Sequence, residues 1–555
     1  MDRAASRDTD ALRATAAAWI ANDPDPATRA ELADVVAGLP ATAAELADRL
    51  AGPLRFGTAG LRGPVRAGPN GMNLAVVRAA ARGLVRHLDE RGDDGPLVIG
   101  YDARHGSAVF AAETARVCTG AGRRALLLPR RLPTPVLAYA VRRLGAAAGV
   151  MVTASHNPPA DNGYKVYLAD GAQLSAPHDA DIEAAIRAVG PLAEVPLGPD
   201  GEVLGEELVR SYVADIAALA DPDSARDLTV AYTALHGVGG DVLTQVFTRA
   251  GFAAPLPAGE QQDPDPDFPT VAFPNPEEPG AMDLVLAVAA QTDADLAIAH
   301  DPDADRCAAA VPDPALGAAT DPAAWRMLTG DQVGVLLADH LLARGRRGTL
   351  ATTIVSSSML RSLAERAGAP YTETLTGFKW IARAADDLAY GYEEALGYAV
   401  APELVRDKDG VSAALLLAEL AATLKASGRS LLDRLDELAA EHGVYATAPL
   451  TVRVTDLRTI ADAMARLRAN PPATLLGRPV TVADLRPRAD VVILRGDGVR
   501  VVVRPSGTEP KLKAYLETVV AVPDPAGVPA ARSEAAAELE TLRAEMASTL
   551  GVPIS

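Results

Sequence analysis

Residues 294–306 read ADLAIAHDPDADR. Leu296–Ala299 is a short apolar run, the signature of a buried strand. It breaks into Asp301, Asp303 and Asp305, spaced two apart and followed by Arg306. The acidic residues therefore begin where the strand ends, and in open α/β sheets ligands bind beyond the carboxyl ends of the strands. In an extended loop alternate residues share a side, so the three carboxylates are expected to converge on one cation. Hard oxygen donors suit Mg²⁺ or Ca²⁺. An EF-hand does not fit, because the sixth position of such a loop would be Arg306 instead of Gly and the twelfth Pro312 instead of Glu. Three carboxylates leave an octahedral Mg²⁺ short of ligands, so a phosphate or substrate oxygen and waters should complete the shell.

The same grammar recurs on both sides of this segment. Apolar runs ending in small or polar residues occur at 96–104 (PLVIGYDAR), 228–237 (LTVAYTALHG) and 348–358 (GTLATTIVSSS). Each region also holds a second run that ends in reactive-looking residues: 146–157 (AAAGVMVTASHN), 294–306, and 388–398 (LAYGYEEALGY). Helical stretches lie between them, such as 73–90 with Leu74, Val77, Ala81, Leu84 and Leu88 on one face. Alternating strands and helices predict an α/β protein with three similar βα-rich domains and mixed sheets, each offering one loop to a shared cleft.

The last hundred or so residues differ. DVVILR (490–495), a Gly-Asp-Gly turn and VRVVVR (499–504) form a hairpin signature, residues 512–520 offer another strand, and Leu539, Leu542, Met546 and Leu550 line one face of a terminal helix. This reads as a smaller C-terminal α+β domain. The expected organisation is a helical extension over 1–50, domains over 51–208, 209–325 and 326–443, and the C-terminal domain over 444–555. Linkers are expected near 198–206, 312–324 and 443–450.

Composition agrees with this plan. At roughly 150 residues per domain, 555 residues make about four domains. The formal charge of −19 argues against nucleic-acid or anionic-membrane binding through bulk charge, but leaves room for an anionic small molecule where basic residues cluster. Two cysteines, Cys118 and Cys307, exclude a disulfide scaffold and a Cys-based zinc site, which suits a reducing cytoplasm. The charged start predicts no signal peptide, and no run of about 18 apolar residues predicts a membrane helix.

Three further segments carry chemistry. Thr153-Ala-Ser155-His156-Asn157-Pro158 follows a buried-looking strand. Neighbouring side chains point apart on an extended chain, so a Ser–His base pair is not expected here, and no G-x-S-x-G nucleophile elbow is present. A serine that carries phosphate beside a metal is the alternative to an ordinary capped turn. Arg504-Pro-Ser506-Gly507-Thr508-Glu509-Pro-Lys511 closes a strand with hydroxyls, a glycine backbone and two cations, an anion cradle. Gly377-Phe-Lys379-Trp380 offers a phosphate-binding lysine, and Gly391-Tyr-Glu393-Glu394-Ala395 offers carboxylates for sugar hydroxyls.

Read together, these segments resemble the α-D-phosphohexomutases, the phosphoglucomutases and phosphomannomutases. The resemblance spans about residues 50–520 and rests on five motifs in the family's order: Phe56-Gly-Thr-Ala-Gly-Leu-Arg62-Gly63, the Ser155 segment, the Asp301–Arg306 loop, 391–397 and 504–511. It implies four domains around one cleft. It also implies that Ser155 is phosphorylated and that Ser155, Asp301, Asp303 and Asp305 hold Mg²⁺. Arg306 would contact phosphate near the metal, and Arg62 and Lys165 would line the transfer site, with Lys165 and His156 as candidates for moving protons. Lys379, Glu393 and Glu394 would meet the substrate, and Arg504, Ser506, Gly507 and Thr508 would hold the phosphate that is not reacting. One departure stands out: Ala395 replaces the serine of the Glu-x-Ser loop common in phosphoglucomutases, and Tyr398 is the nearest candidate for the histidine that phosphomannomutases often add. The wording around Lys379 and Glu393 resembles the branch that also holds phosphopentomutases and glucose 1,6-bisphosphate synthases.

The expected activity is a Mg²⁺-dependent phosphoglucomutase primed by glucose 1,6-bisphosphate, with phosphomannomutase or phosphopentomutase as runner-up. A serine-nucleophile phosphatase would need no remote phosphate cradle, and an inactive relative should have lost Ser155 or one of the three aspartates.

Overall fold

The computed structural model describes residues 2–57, 60–454, 458–506 and 511–552. The chain divides into two compact units, residues 1–328 with 395–426, and residues 329–394 with 427–555.

The first unit opens on helices Asp2–Asn22, Pro26–Ala37 and Ala43–Arg49. Asp25 caps the second by accepting from the Ala27 N–H, with Pro26 at its first position. Ala16, Leu32, Val35, Leu46 and Ala67 are buried together beneath them.

Next comes a mixed six-stranded sheet, in spatial order Leu61–Pro64, Asp161–Leu168, Ala148–Val152, Leu97–Tyr101, Ala125–Leu127 and Glu202–Val203. Leu97–Tyr101 runs parallel to both Ala125–Leu127 and Ala148–Val152, whereas Asp161–Leu168 is antiparallel to both of its neighbours. The predicted amphipathic helix is Leu74–Arg91. Asn73 caps it by accepting from the Val76 N–H, Gly92 ends it in the left-handed region, and Val77, Ala81, Leu84 and Leu88 are buried.

A second mixed sheet follows, ordered Trp325–Leu328, Ala308–Pro312, Leu296–Ala299, Val230–Thr233 and Leu256–Pro257. Its parallel pair Val230–Thr233 and Leu296–Ala299 is fully buried, so these strands show continuous apolar runs with no alternation.

The second unit holds a parallel set, Tyr371–Thr374, Thr349–Thr353 and Leu388–Glu393. It also holds an antiparallel six-stranded sheet ordered Val444–Arg453, Lys511–Val520, Val499–Pro505, Val492–Gly496, Arg478–Asp484 and Thr474–Leu475. The terminal helix Val528–Leu550 buries Leu539, Leu542, Met546 and Leu550 in the core of that sheet.

One expected linker is corrected. Residues 443–450 enter the ten-residue strand Val444–Arg453, where Pro449 stands opposite Tyr515. The strand lies at the sheet's edge, where the missing proline N–H breaks no ladder bond. Among the described residues no single helix is long and apolar enough to cross a membrane.

Candidate active site

Two strand ends of the first unit build the site. Leu296–Ala299 delivers the Asp301–Arg306 loop, and Ala148–Val152 delivers Thr153–Asn157. Asp301, Asp303 and Asp305 are buried, and each offers a carboxylate oxygen within 4.8 Å of the others. The convergence expected from an extended loop is achieved differently. Ala304 is left-handed (φ 53°) and its N–H donates to the Asp301 carbonyl at 2.8 Å, so a turn gathers the carboxylates. Bare backbone presses on this turn: a Cβ on Gly237 would lie 2.4 Å from Pro302 Cα, and one on Gly410 would lie 2.3 Å from the Arg306 carbonyl oxygen.

Ser155 is buried, and its hydroxyl donates to Asp301 Oδ2 at 2.7 Å. Its Oγ also lies 3.1 Å from His156 Nδ1. This corrects the expectation that adjacent side chains point apart. Ser155 is left-handed (φ 52°), outside the extended region on which that alternation depends. Burial, then the charges of Arg306 and Arg62, hold the His156 imidazolium well below its ordinary range, so the ring is neutral.

Lys165, on the strand Asp161–Leu168, donates to Asp303 Oδ2 at 2.6 Å and to Asp305 Oδ2 at 2.9 Å. Burial opposes its charge, but the two carboxylates outweigh burial and keep the ammonium protonated. Thr134 Oγ1 also donates to Asp303 Oδ2. Burial and the charges of Asp303 and Asp305 push Asp301 well above the usual carboxylate range. For Asp305, Lys165, Lys408 and Arg306 overcome burial and push it the other way. Asp303 Oδ1 and Asp305 Oδ1 are buried with no hydrogen-bond partner. Buried carboxylate oxygens without donors are costly unless a cation takes them, and the three carboxylates of Asp301, Asp303 and Asp305 meeting in one place can hold a hard metal ion. A cavity of about 90 Å³ opens beside them, lined by Arg62, Ser155, His156, Lys165, Gln173, Asp305, Arg306 and Lys408.

Sequence reading missed three of the groups here. Lys408 Nζ stands 3.2 Å from Asp305 Oδ2, carried by the 406–410 segment RDKDG. Asp407 beside it accepts from Tyr167 Oη at 2.7 Å and Gln173 Nε2 at 2.9 Å. Arg104 is buried, and its guanidinium donates to the carbonyls of Ser155, Asn157, Pro158 and Asp161. Its only signal in sequence was its place at the end of the run 96–104. Arg62 was expected, and it donates to Asn157 Oδ1 at 2.9 Å.

The second unit gathers another set. Glu394 Oε2 accepts from Ser356 Oγ at 3.0 Å and Thr353 Oγ1 at 3.2 Å, and the Glu394 N–H donates to Ser356 Oγ. The Tyr515 hydroxyl feels the charges of Glu394, Arg504 and Glu393. Lys379 Nζ lies 5.7 Å from the centre of the Trp380 ring. The Ser506 N–H donates to the Lys511 carbonyl. Gly507 and Thr508 lie outside the described residues.

Four family models match in order: phosphoglucomutase/phosphomannomutase α/β/α domain I over residues 53–191, domain II over 210–317, domain III over 329–442 and the C-terminal domain over 450–524. The chain belongs to the phosphoglucomutase/phosphomannomutase family. Members of this family are intramolecular phosphotransferases of the isomerase class, and so is this enzyme. A relative from Haemophilus influenzae, named a probable phosphomannomutase, is 45% identical over 459 residues, which is 80% of this chain and 93% of the relative. A phosphopentomutase from Mus musculus is 33% identical over 569 residues, covering 90% and 89%. A phosphoglucomutase from Staphylococcus haemolyticus is 34% identical over 515 residues, covering 83% and 90%. The three α/β/α domains and the C-terminal domain match, in order, the two mixed sheets, the parallel set and the antiparallel sheet described above.

Proposed function

We propose that the enzyme is a phosphoglucomutase interconverting α-D-glucose 1-phosphate and glucose 6-phosphate, with Ser155 carrying the transferred phosphoryl group. The observation that carries this reading is the 2.7 Å hydrogen bond from Ser155 Oγ to Asp301, which sets a buried hydroxyl against the acidic cluster. Asp301, Asp303 and Asp305, with an oxygen of the phosphorylated Ser155, would hold Mg²⁺, and the two partnerless Oδ1 atoms fit such an ion. Bound there, Mg²⁺ supplies charge neutralisation at the phosphoryl oxygens.

The protein's own residues do the remaining work. Arg62, Arg306 and Lys408 line the cavity as cations for phosphoryl oxygens. As the phosphorus–oxygen bond to Ser155 breaks, one forms to a sugar hydroxyl, whose proton must leave. The neutral His156 imidazole at Ser155 is the group placed to accept it, whereas Lys165, kept protonated by the aspartates, is placed to give a proton rather than take one. The product of that half-reaction is glucose 1,6-bisphosphate, which also serves as primer, and its other phosphate then returns to Ser155. Arg504, Ser506, Gly507 and Thr508 hold the phosphate that is not reacting, Lys379 contacts the substrate, and Glu393 with the anchored Glu394 meets the sugar hydroxyls.

Phosphomannomutase or phosphopentomutase activity is the second reading. It is favoured by Ala395 in the sugar loop and by relatives that bear those names. A coupled assay with glucose, mannose and ribose 1-phosphates and a bisphosphate primer separates the two. The expected order puts glucose 1-phosphate first in kcat/KM, with slower use of the other two. Faster turnover of mannose or ribose 1-phosphate would reassign the substrate.

A further inference from the structure

Arg104 is buried beneath the Ser155 loop. Its Nη2 donates to the carbonyls of Ser155 and Asn157, each at 2.6 Å, and its Nη1 donates to those of Pro158 at 2.8 Å and Asp161 at 3.0 Å. Four of the five guanidinium N–H donors are thus spent on the backbone of one seven-residue loop. The Arg104 N–H donates to Asp102 Oδ1, which Ser107 Oγ also holds, and the guanidinium sits 4.9 Å from the centre of the Phe268 ring. The arginine is therefore fixed from behind by Asp102 and from one face by an aromatic ring, while its fork faces the loop. A non-glycine residue in the left-handed region, as Ser155 is, persists only where its surroundings over-determine it. The carbonyl of Ser155 is itself one of those Arg104 holds.

We propose that Arg104 is a positioning residue for phosphoryl transfer: its guanidinium fork pins the carbonyls of residues 155–161 and so keeps Ser155 Oγ aimed at Asp301. The inference rests on the reading of Ser155 as the phosphoryl carrier. Arg104 touches neither substrate nor reacting atoms, and acts only through the loop. Lysine cannot replace it, because one ammonium is a compact charge with three donors and cannot fork across four carbonyls.

The test compares wild type with Arg104→Lys and with the milder Asp102→Asn, which keeps the shape behind the arginine but removes its counter-charge. Four quantities are read in each: melting temperature, kcat and KM for the sugar phosphate, and the rate at which Ser155 takes up phosphate from glucose 1,6-bisphosphate, followed by intact mass. Displacing a reacting group by about 1 Å costs on the order of 100-fold. Arg104→Lys should lose about 100-fold in kcat and in phosphate uptake, with KM within about threefold of wild type. Asp102→Asn should lose several-fold in the same two quantities while remaining folded. Full kcat in a folded Arg104→Lys, or loss confined to KM, would overturn the proposal. So would a loss that disappears once activity is counted per folded molecule; if Arg104→Lys does not fold, an unchanged kcat in Asp102→Asn overturns it instead. Phosphate appearing in wild type on a residue other than Ser155 would sink the reading beneath it, and that outcome is visible in the same mass spectra.

Discussion

Asp303 shows how one side chain serves two purposes. One of its oxygens takes Thr134 and Lys165 and the other has no partner. Asp303→Asn removes one of three crowded charges, so the melting temperature should move by only a few degrees while turnover falls at least about 100-fold; a comparable loss of both would make the residue structural. Exhaustive chelation should abolish wild-type turnover and added Mg²⁺ restore it. At Arg504, loss of a charge-assisted hydrogen bond is worth about 1.5–3 kcal/mol, roughly 10- to 150-fold. Arg504→Ala should weaken the binding of both glucose phosphates by that factor, and unchanged affinity for either would remove it from the phosphate cradle. The aspartates were legible in sequence because they are neighbours in the chain. Lys408 was not, since it meets Asp305 from about a hundred residues away. Nor was the contact between Ser155 and His156, because no pattern in sequence announces that a serine will be left-handed.

At the scale of single elements, helix Gly330–Ala343 begins with a capping box between Thr329 and Gln332 and carries Asp331 in its first turn. Asp331 accepts from the Ser357 N–H, Tyr392 Oη and Thr447 Oγ1, and burial pushes its carboxyl up to about 6. Between the ordinary carboxylate value near 4 and about 6, the folded state keeps a proton that the unfolded state has released. Asp331 therefore makes the protein less stable as pH rises through that window, by up to about 3 kcal/mol. Asp331→Asn should be the more stable protein at pH 7.5, with the gap narrowing through the window and closing only below about pH 4, as followed by urea unfolding. A gap independent of pH would refute the assignment. Elements were legible where periodicity was strong, as in Leu74–Arg91 and the hairpin of Val492–Gly496 with Val499–Pro505. They were not where turn-forming residues sat within a strand, as with Pro449 in Val444–Arg453.

At the scale of the molecule, the repeated βα pattern pointed to the sheets, but the division of the chain into units was hidden. Residues 395–426 pack with residues 1–328 in one compact unit, where the helix Gly410–Ala426 is buried along nearly its whole length. Within the other unit, Arg500 Nε meets Glu517 Oε2 at 2.9 Å, and Glu517 also accepts from Ser357 Oγ, Ser358 Oγ and the Ser358 N–H. Both members of the ion pair are buried. Arg500→Met leaves Glu517 charged without its cation and should cost about 3–5 kcal/mol; a loss below about 1 kcal/mol in urea unfolding would show the pair to be incidental. The proposed phosphoryl transfer turns on Ser155. The enzyme should be incubated with glucose 1,6-bisphosphate and Mg²⁺, its intact mass and phosphopeptides recorded, and the phosphoenzyme then chased with glucose 1-phosphate. One phosphate per chain is expected, on Ser155, discharged by the sugar phosphate, and none on Ser155→Ala, which should be folded and inactive. Phosphate on another residue, or full turnover by Ser155→Ala, would contradict that transfer.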